Sequence, residues 1–173
     1  MALQKKIFKT ILIGEGGVGK TSITLRYTED KFGQDMRMTI GVNLATKHLN
    51  VNGKDLTLIM WDLGGQPRFY DVVSDYFNGA KFAIAVYDVT RPYTLERLHD
   101  WIGRLKEAAP DCDLIVVGNK IDERSGDSGV PLEEGIAFAS QYGADCVEVS
   151  AKTGEGVNEM FEAVARALVD KYL

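Results

Sequence analysis

Residues Gly14-Glu15-Gly16-Gly17-Val18-Gly19-Lys20-Thr21 fit the pattern G-x-x-x-x-G-K-[ST]. The stretch follows an apolar run, Phe8 to Ile13, and precedes a segment with helical spacing through Ser22, Ile23, Leu25 and Tyr27. That strand-loop-helix context is the one in which such a loop holds phosphate. Glycines let backbone N–H groups converge on phosphate oxygens. Lys20 can reach the β- and γ-phosphates, and the Thr21 hydroxyl can ligate Mg²⁺ that neutralises the same oxygens. The candidate phosphate-binding residues are Gly14, Gly16, Gly17, Val18, Gly19, Lys20, Thr21 and Ser22. Glu15 is an unhelpful negative charge beside phosphate unless it points to solvent, and it is assigned no catalytic role.

A second segment, Trp61-Asp62-Leu63-Gly64-Gly65-Gln66, closes another apolar run. Asp62 can hold Mg²⁺ directly or through water, and the Gly65 N–H can sense a γ-phosphate. Gln66 can hydrogen-bond an attacking water but is no strong base, which makes it a water-orienting residue. Pro67 disfavours α backbone angles at Gln66 and pushes it towards an extended conformation. Intrinsic hydrolysis is therefore expected to be slow. Between the two phosphate motifs, Phe32 to Gly41 offers few core positions. Its Thr39 carries a hydroxyl suited to Mg²⁺ and an N–H suited to a γ-phosphate, so the loop can order with a triphosphate and relax after hydrolysis.

Base recognition is read from two further segments. In Gly118-Asn119-Lys120-Ile121-Asp122, the Asp122 carboxylate can accept bonds from N1–H and the exocyclic amine of guanine. Adenine lacks that donor pair, a discrimination worth roughly 2–5 kcal/mol. Asn119 can tie the segment to the phosphate loop, and the aliphatic stem of Lys120 can lie along the ring. Ser150-Ala151-Lys152 follows a later strand in the same manner, with the Ala151 N–H available to the guanine oxygen.

The elements that must position these groups alternate along the chain. Apolar runs occur at Phe8 to Ile13, Val42 to Val51, Leu56 to Trp61, Phe82 to Tyr87, Leu114 to Val117 and Cys146 to Val149. Helical faces are spelled by Leu95, Leu98, Trp101, Ile102 and Leu105, by Ala137, Phe138 and Tyr142, and by Val157, Met160, Phe161, Val164, Leu168 and Val169. Asn52-Gly53 accepts the left-handed angles of a type I′ turn and predicts a hairpin between the second and third strands. The expected fold is α/β: a six-stranded mixed sheet, five strands parallel and one antiparallel, flanked by about five helices. Ligands of such sheets bind beyond the carboxyl ends of the strands, where every motif above falls.

The 173 residues suit one domain spanning the chain, with a hydrophobic content of 45% and a net charge of −5. The acidic balance argues against general nucleic-acid binding. No apolar run approaches the length of a membrane span, and no hydrophobic signal segment follows the first charges. Cys112 and Cys146 form no CxxC pattern and read as free thiols in a reducing cytoplasm. His48 and His99 have no metal-ligand spacing around them, and Arg37 and Arg68 read as solvated surface residues.

Taken in order, GEGGVGKT, TIG, WDLGGQ, NKID and SAK resemble the Ras superfamily of small GTPases over essentially the whole chain. The P-loop small G domain, and within it the Rab branch, is the nearest likeness: Thr39-Ile40-Gly41-Val42, Asp75-Tyr76-Phe77-Asn78-Gly79-Ala80 and Tyr87-Asp88-Val89-Thr90 look Rab-like. The resemblance implies a molecular switch that binds GTP or GDP with Mg²⁺ and hydrolyses GTP, slowly unless an activating protein assists. Lys20, Thr39, Gly65 and Gln66 would carry catalysis; Thr21, Thr39 and Asp62 would hold the metal. Phe32 matches the aromatic that packs on the base, and Asn119, Lys120, Asp122, Ser150, Ala151 and Lys152 the base-reading set. Trp61 and Tyr76 match aromatics that meet effectors; read without the family, Trp61 is a partly buried core residue. Effectors, exchange factors and GTPase-activating proteins are the implied partners of a monomeric cytoplasmic protein that meets membranes peripherally.

Three departures qualify the likeness. WDLGGQ, with Leu63 and Gly64, looks like the Arf branch, and Pro67 stands where glutamate is usual. Met36 occupies a switch position that often carries an aromatic. Ala2 follows the first methionine and no cysteine lies near Asp170-Lys171-Tyr172-Leu173, so no lipidation signal is read. Either the chain is truncated or it belongs with anchor-free prokaryotic or archaeal Rab-like proteins, the favoured expectation. A P-loop small-molecule kinase would need an acceptor pocket and a basic lid, and NKID would be superfluous. A scaffold that signals by nucleotide occupancy is the remaining rival.

Overall fold

A computed structural model describes residues 6–33, 41–64, 73–126 and 128–173. Thr39, Met36, Arg37, Gly65, Gln66, Pro67 and Arg68 lie outside the described residues. The strands are β1 (Lys6–Ile13), β2 (Val42–Val51), β3 (Lys54–Leu63), β4 (Phe82–Asp88), β5 (Asp113–Asn119) and β6 (Asp145–Glu148). They form one sheet in the order β2-β3-β1-β4-β5-β6. β2 runs antiparallel to β3, and every other pairing is parallel. This is the mixed sheet the apolar runs predicted: β2 coincides with its run, and the other five are lengthened or shifted by a residue or two where ladder bonds continue past the apolar core. The hairpin turns through Asn52 and Gly53, both with positive φ of 52° and 81°, as a type I′ turn requires.

Side chains along the central strands alternate between two cores. Leu12, Ile84, Val86 and Val117 face one layer with helices α1 (Lys20–Glu29) and α5 (Val157–Tyr172). Within that layer Tyr27 stacks on Phe161, ring centroids 3.9 Å apart. Ile11, Ile13, Ala83, Ala85 and Tyr87 face the other with α3 (Leu98–Ala108) and α4 (Leu132–Ser140). The small residues of β4 share this layer with the fully buried Trp101. A two-residue period on the strands thus feeds two helical layers.

The structure corrects two helical expectations. The apolar face from Leu95 to Leu105 is split between α2 (Pro92–Glu96) and α3. At the junction the Asp100 N–H bonds to the Arg97 carbonyl, three residues back, and this tighter turn resets the helix. Tyr142 lies beyond the end of α4, yet still packs on the same core and joins its hydroxyl to Nδ1 of His99. The five α-helices among the described residues match the expected number.

Candidate nucleotide site

The loop from Gly14 to Gly19 leaves the end of β1 and enters α1 at Lys20. Its tight wrapping depends on missing side chains. A Cβ at Gly14, where φ is 141°, would meet the Val86 carbonyl oxygen at 2.3 Å; at Gly19 it would meet Nδ2 of Asn119 at 2.2 Å. Lys20 is buried and donates from Nζ to the carbonyls of Gly14 (2.8 Å) and Glu15 (3.0 Å). An ammonium has three donors, so it can hold both carbonyls and still meet a phosphate. Burial pulls its pKa down to about 8, against the opposing pull of Asp62 and Glu15.

Asp62 stands near the end of β3, 1% exposed, and accepts a hydrogen bond from the Thr21 hydroxyl. The structure therefore brings these two sequence-predicted metal ligands together across the β3–α1 gap. Both offer hard oxygen donors. Among the described residues no group of three or more His, Cys, Asp or Glu side chains could hold a metal ion.

The two segments expected to read a base leave β5 and β6, which pair side by side. Asn119, 2% exposed, donates from Nδ2 to the Val18 carbonyl (3.0 Å), and its Oδ1 accepts the Ala151 N–H (3.1 Å). One side chain therefore joins the phosphate loop to both base segments. The Ala151 N–H expected to meet guanine is engaged by Asn119 in this arrangement, so a base oxygen there must share or displace that bond. Ser150 is fully buried and donates from Oγ to Oδ1 of Asp122 (2.7 Å), while the Thr153 N–H donates to the same hydroxyl (3.1 Å). Asp122 is itself exposed, so only a base placed over it would bury it. Phe32 is 37% exposed, an aromatic surface open to a ligand.

Several contacts around the site have no counterpart in the sequence motifs. Arg26, on α1, donates to the carbonyls of Ala151 (2.8 Å) and Lys152 (2.6 Å) and so fixes the second base segment. Asp88 closes β4 beside Asn119 in register. Its carboxylate, 1% exposed, accepts bonds from the Thr90 N–H (2.8 Å) and hydroxyl (2.6 Å) and from Nε of Arg91 (2.9 Å); Lys120 Nζ lies 3.2 Å away. Burial alone would raise its pKa, but these donors outweigh it and hold the carboxyl below its ordinary value. Glu15 does not point freely to solvent: its Oε1 accepts bonds from the Trp101 indole N–H (3.1 Å) and Nε of Arg97 (3.3 Å).

The remaining expected features are placed outside this centre. Trp61 is half-buried and tilts against Tyr76 at 6.1 Å, with Lys9 Nζ 4.0 Å from its ring centre. His48 pairs with the Thr57 hydroxyl at 2.7 Å, and His99 packs on Phe138. Cys112 and Cys146 are free thiols.

Residues 9–170 match the Ras family. Over 95% of its length the chain is 41% identical to Ras-related protein RABC1 of Arabidopsis thaliana, covering 78% of that protein. It is 38% identical to Ras-related protein SEC4 of Saccharomyces cerevisiae over 95% of the chain and 76% of SEC4. It is also 40% identical to Ras-related protein Rab-18-B of Danio rerio, over 95% of the chain and 78% of the relative.

Proposed function

The chain belongs to the Ras family as a Rab-like small GTPase, a GTP hydrolase, and from that premise we propose that it is a one-domain monomeric switch. In this reading Gly14 to Ser22 hold the phosphates, and Asn119, Lys120, Asp122, Ser150, Ala151 and Lys152 read guanine beneath the Phe32 ring. The observation that carries it is the double bridge of Asn119 to Val18 and Ala151, which ties phosphate-binding and base-binding backbone into one unit.

Thr21 and Asp62 would hold Mg²⁺, with Thr39 joining when a γ-phosphate is present. Their hard oxygen donors, with a single carboxylate among them, suit an ion that also takes phosphate oxygens and keeps water in its shell. An ion held there would neutralise charge on the phosphate oxygens. Lys20 adds a buried cation to the same oxygens. Gln66 orients a water in line with the γ-phosphorus, while the Gly65 N–H senses the γ-phosphate. Attack forms the new oxygen–phosphorus bond as the bond to the bridging oxygen breaks, giving GDP and phosphate.

Loss of the γ-phosphate would release the contacts of Thr39 and Gly65 and change the surface beside Trp61 and Tyr76, where effectors would dock. An activating protein supplying an arginine and an exchange factor complete the cycle. The protein would act in the cytoplasm and meet membranes through its partners; no described helix is long and apolar enough to cross a membrane. Affinity and turnover measured together for GTP, GDP and ATP test the proposal. ATP held as tightly as GTP, or neither held, would overturn it.

A further inference from the structure

Resting on the guanine-nucleotide reading above, we infer that Arg91 and Trp101 form a clasp on the outer side of the phosphate loop that sets how long the nucleotide stays bound. Neither residue belongs to the motifs that define the site.

A glycine-rich loop has much backbone freedom to lose, so its binding geometry must be held from outside. In this chain the carbonyls of the loop are taken one by one. Lys20 holds those of Gly14 and Glu15, and Asn119 holds that of Val18. Between them, Nη2 of Arg91 reaches the carbonyl of Gly16 at 3.4 Å. A trans peptide points its C=O and N–H in opposite directions. Drawing the Gly16 carbonyl outward therefore turns the Gly17 N–H inward, to the side where a phosphate would lie. The guanidinium also closes the space behind the loop, since a Cβ on Gly17 would lie 3.3 Å from Nη2.

Arg91 can do this because its own position is fixed. Nε bonds to the buried Asp88 carboxylate at 2.9 Å, and Nη1 donates to the Tyr93 hydroxyl at 2.8 Å. Thr94 shapes the corner behind it, accepting the Asp88 N–H and donating to the Arg91 carbonyl. The same Asp88 carboxylate lies 3.2 Å from Lys120 Nζ, so the arginine that grips the phosphate loop shares its anchor with the base-reading lysine. Three separate nitrogens are used, which the fork of an arginine supplies and the single ammonium of a lysine does not.

One residue earlier the loop is gripped a second time. The Glu15 carboxylate accepts the Trp101 indole N–H, and Trp101 is fully buried on the core-facing side of α3. The two contacts act on adjacent residues from adjacent elements, and both touch the loop rather than any reacting atom. Arg91 and Trp101 are thus positioning residues, and their loss should act on nucleotide release more than on hydrolysis.

The test follows release of a fluorescent GDP analogue, chased with excess GDP in the presence of Mg²⁺, alongside single-turnover hydrolysis of preloaded GTP. Arg91→Ala and Trp101→Phe should each speed release about tenfold, the loss of roughly one charge-assisted bond, while hydrolysis of bound GTP slows by less than about threefold. Arg91→Lys should fail to restore slow release. Glu15→Ala removes the Trp101 contact from the loop side, together with the Arg97 bond to the same oxygen, without touching the core, and should release GDP at least as fast as Trp101→Phe. The Glu15→Ala/Trp101→Phe double variant should be no faster than Glu15→Ala alone, because both changes break one contact, a result general loosening of the fold would not give. Release within about twofold of wild type in Arg91→Ala and Glu15→Ala, or additive effects in the double variant, would overturn the clasp. If the unaltered protein fails to retain GDP, the guanine-nucleotide reading itself falls, a result distinct from loss of the clasp alone.

Discussion

The carboxamide of Asn119 donates to the Val18 carbonyl across 101 residues of chain, at 3.0 Å. Because the other end of that carboxamide accepts the Ala151 N–H, one buried side chain sets the spacing between the place for phosphate and the place for a purine. Asn119→Ala strands two backbone groups in a dry environment, which should cost about 2–4 kcal/mol of stability. GDP affinity should fall by more than about 100-fold. Gly19→Ala attacks the same contact from the loop, where its Cβ would sit 2.2 Å from Nδ2 at a φ of 103°. Equilibrium binding and thermal melting of both variants check this; a Gly19→Ala protein with ordinary GDP affinity would show that loop and carboxamide separate freely.

Asp122, the residue proposed to read the base, accepts a bond at Oδ1 from the Ser150 hydroxyl. Its exposure leaves the rest of the carboxylate available for a base to cover. Asp122→Ala should erase most of the preference for GTP over ATP, a change of roughly 2–5 kcal/mol in relative affinity. Competition binding with the two nucleotides measures it. Ser150→Ala should weaken GTP binding more mildly, because it frees the carboxylate without removing it.

Much of this arrangement was legible in the sequence because it depends on local pattern. Apolar runs placed the strands, Asn52-Gly53 placed the hairpin, and motif spacing placed Lys20, Asp62, Asn119 and Asp122 at or just beyond strand ends. What spacing cannot express is a contact between distant elements. Glu15 looked like a liability beside phosphate, and only the packing of α3 brings the Trp101 N–H to it. A signal did exist: a tryptophan on a fully apolar helical face needs an acceptor for its indole N–H. Asp88 and Arg91 were similarly hidden, since a carboxylate ending an apolar strand announces a need for cations without naming them. The split between α2 and α3 left the hydrophobic spacing almost intact and so had no sequence signature.

Gln66 and Pro67 lie outside the described residues, and their roles stand on sequence chemistry. If Pro67 keeps Gln66 from presenting water in line, Pro67→Ala or Pro67→Glu should raise the single-turnover hydrolysis rate, by about tenfold. Gln66→Leu should remove the gain, because no group then orients the water. A phosphate-release time course on the four proteins decides this. An unchanged rate in both Pro67 variants would remove proline as the brake.

Lys20 gives the nucleotide-free protein a distinctive pH response. Its pKa falls from 10.5 to about 8 through burial, with Asp62 and Glu15 pulling the other way. Between those values the unfolded chain binds a proton that the folded chain does not. Stability from this group therefore rises with pH across that window, by on the order of 1 kcal/mol per pH unit, and is flat below it. Lys20→Met removes the titrating group and should remove that rise. Denaturant unfolding of the two nucleotide-free proteins from pH 7 to 10 isolates the effect, because every other titration is common to both. A difference curve that stays level would mean the ammonium keeps its proton in the folded loop, held by the Gly14 and Glu15 carbonyls. Phosphate, by stabilising the charged form, should erase the rise as well: with GDP bound, the wild-type curve should lose its upward slope above pH 8.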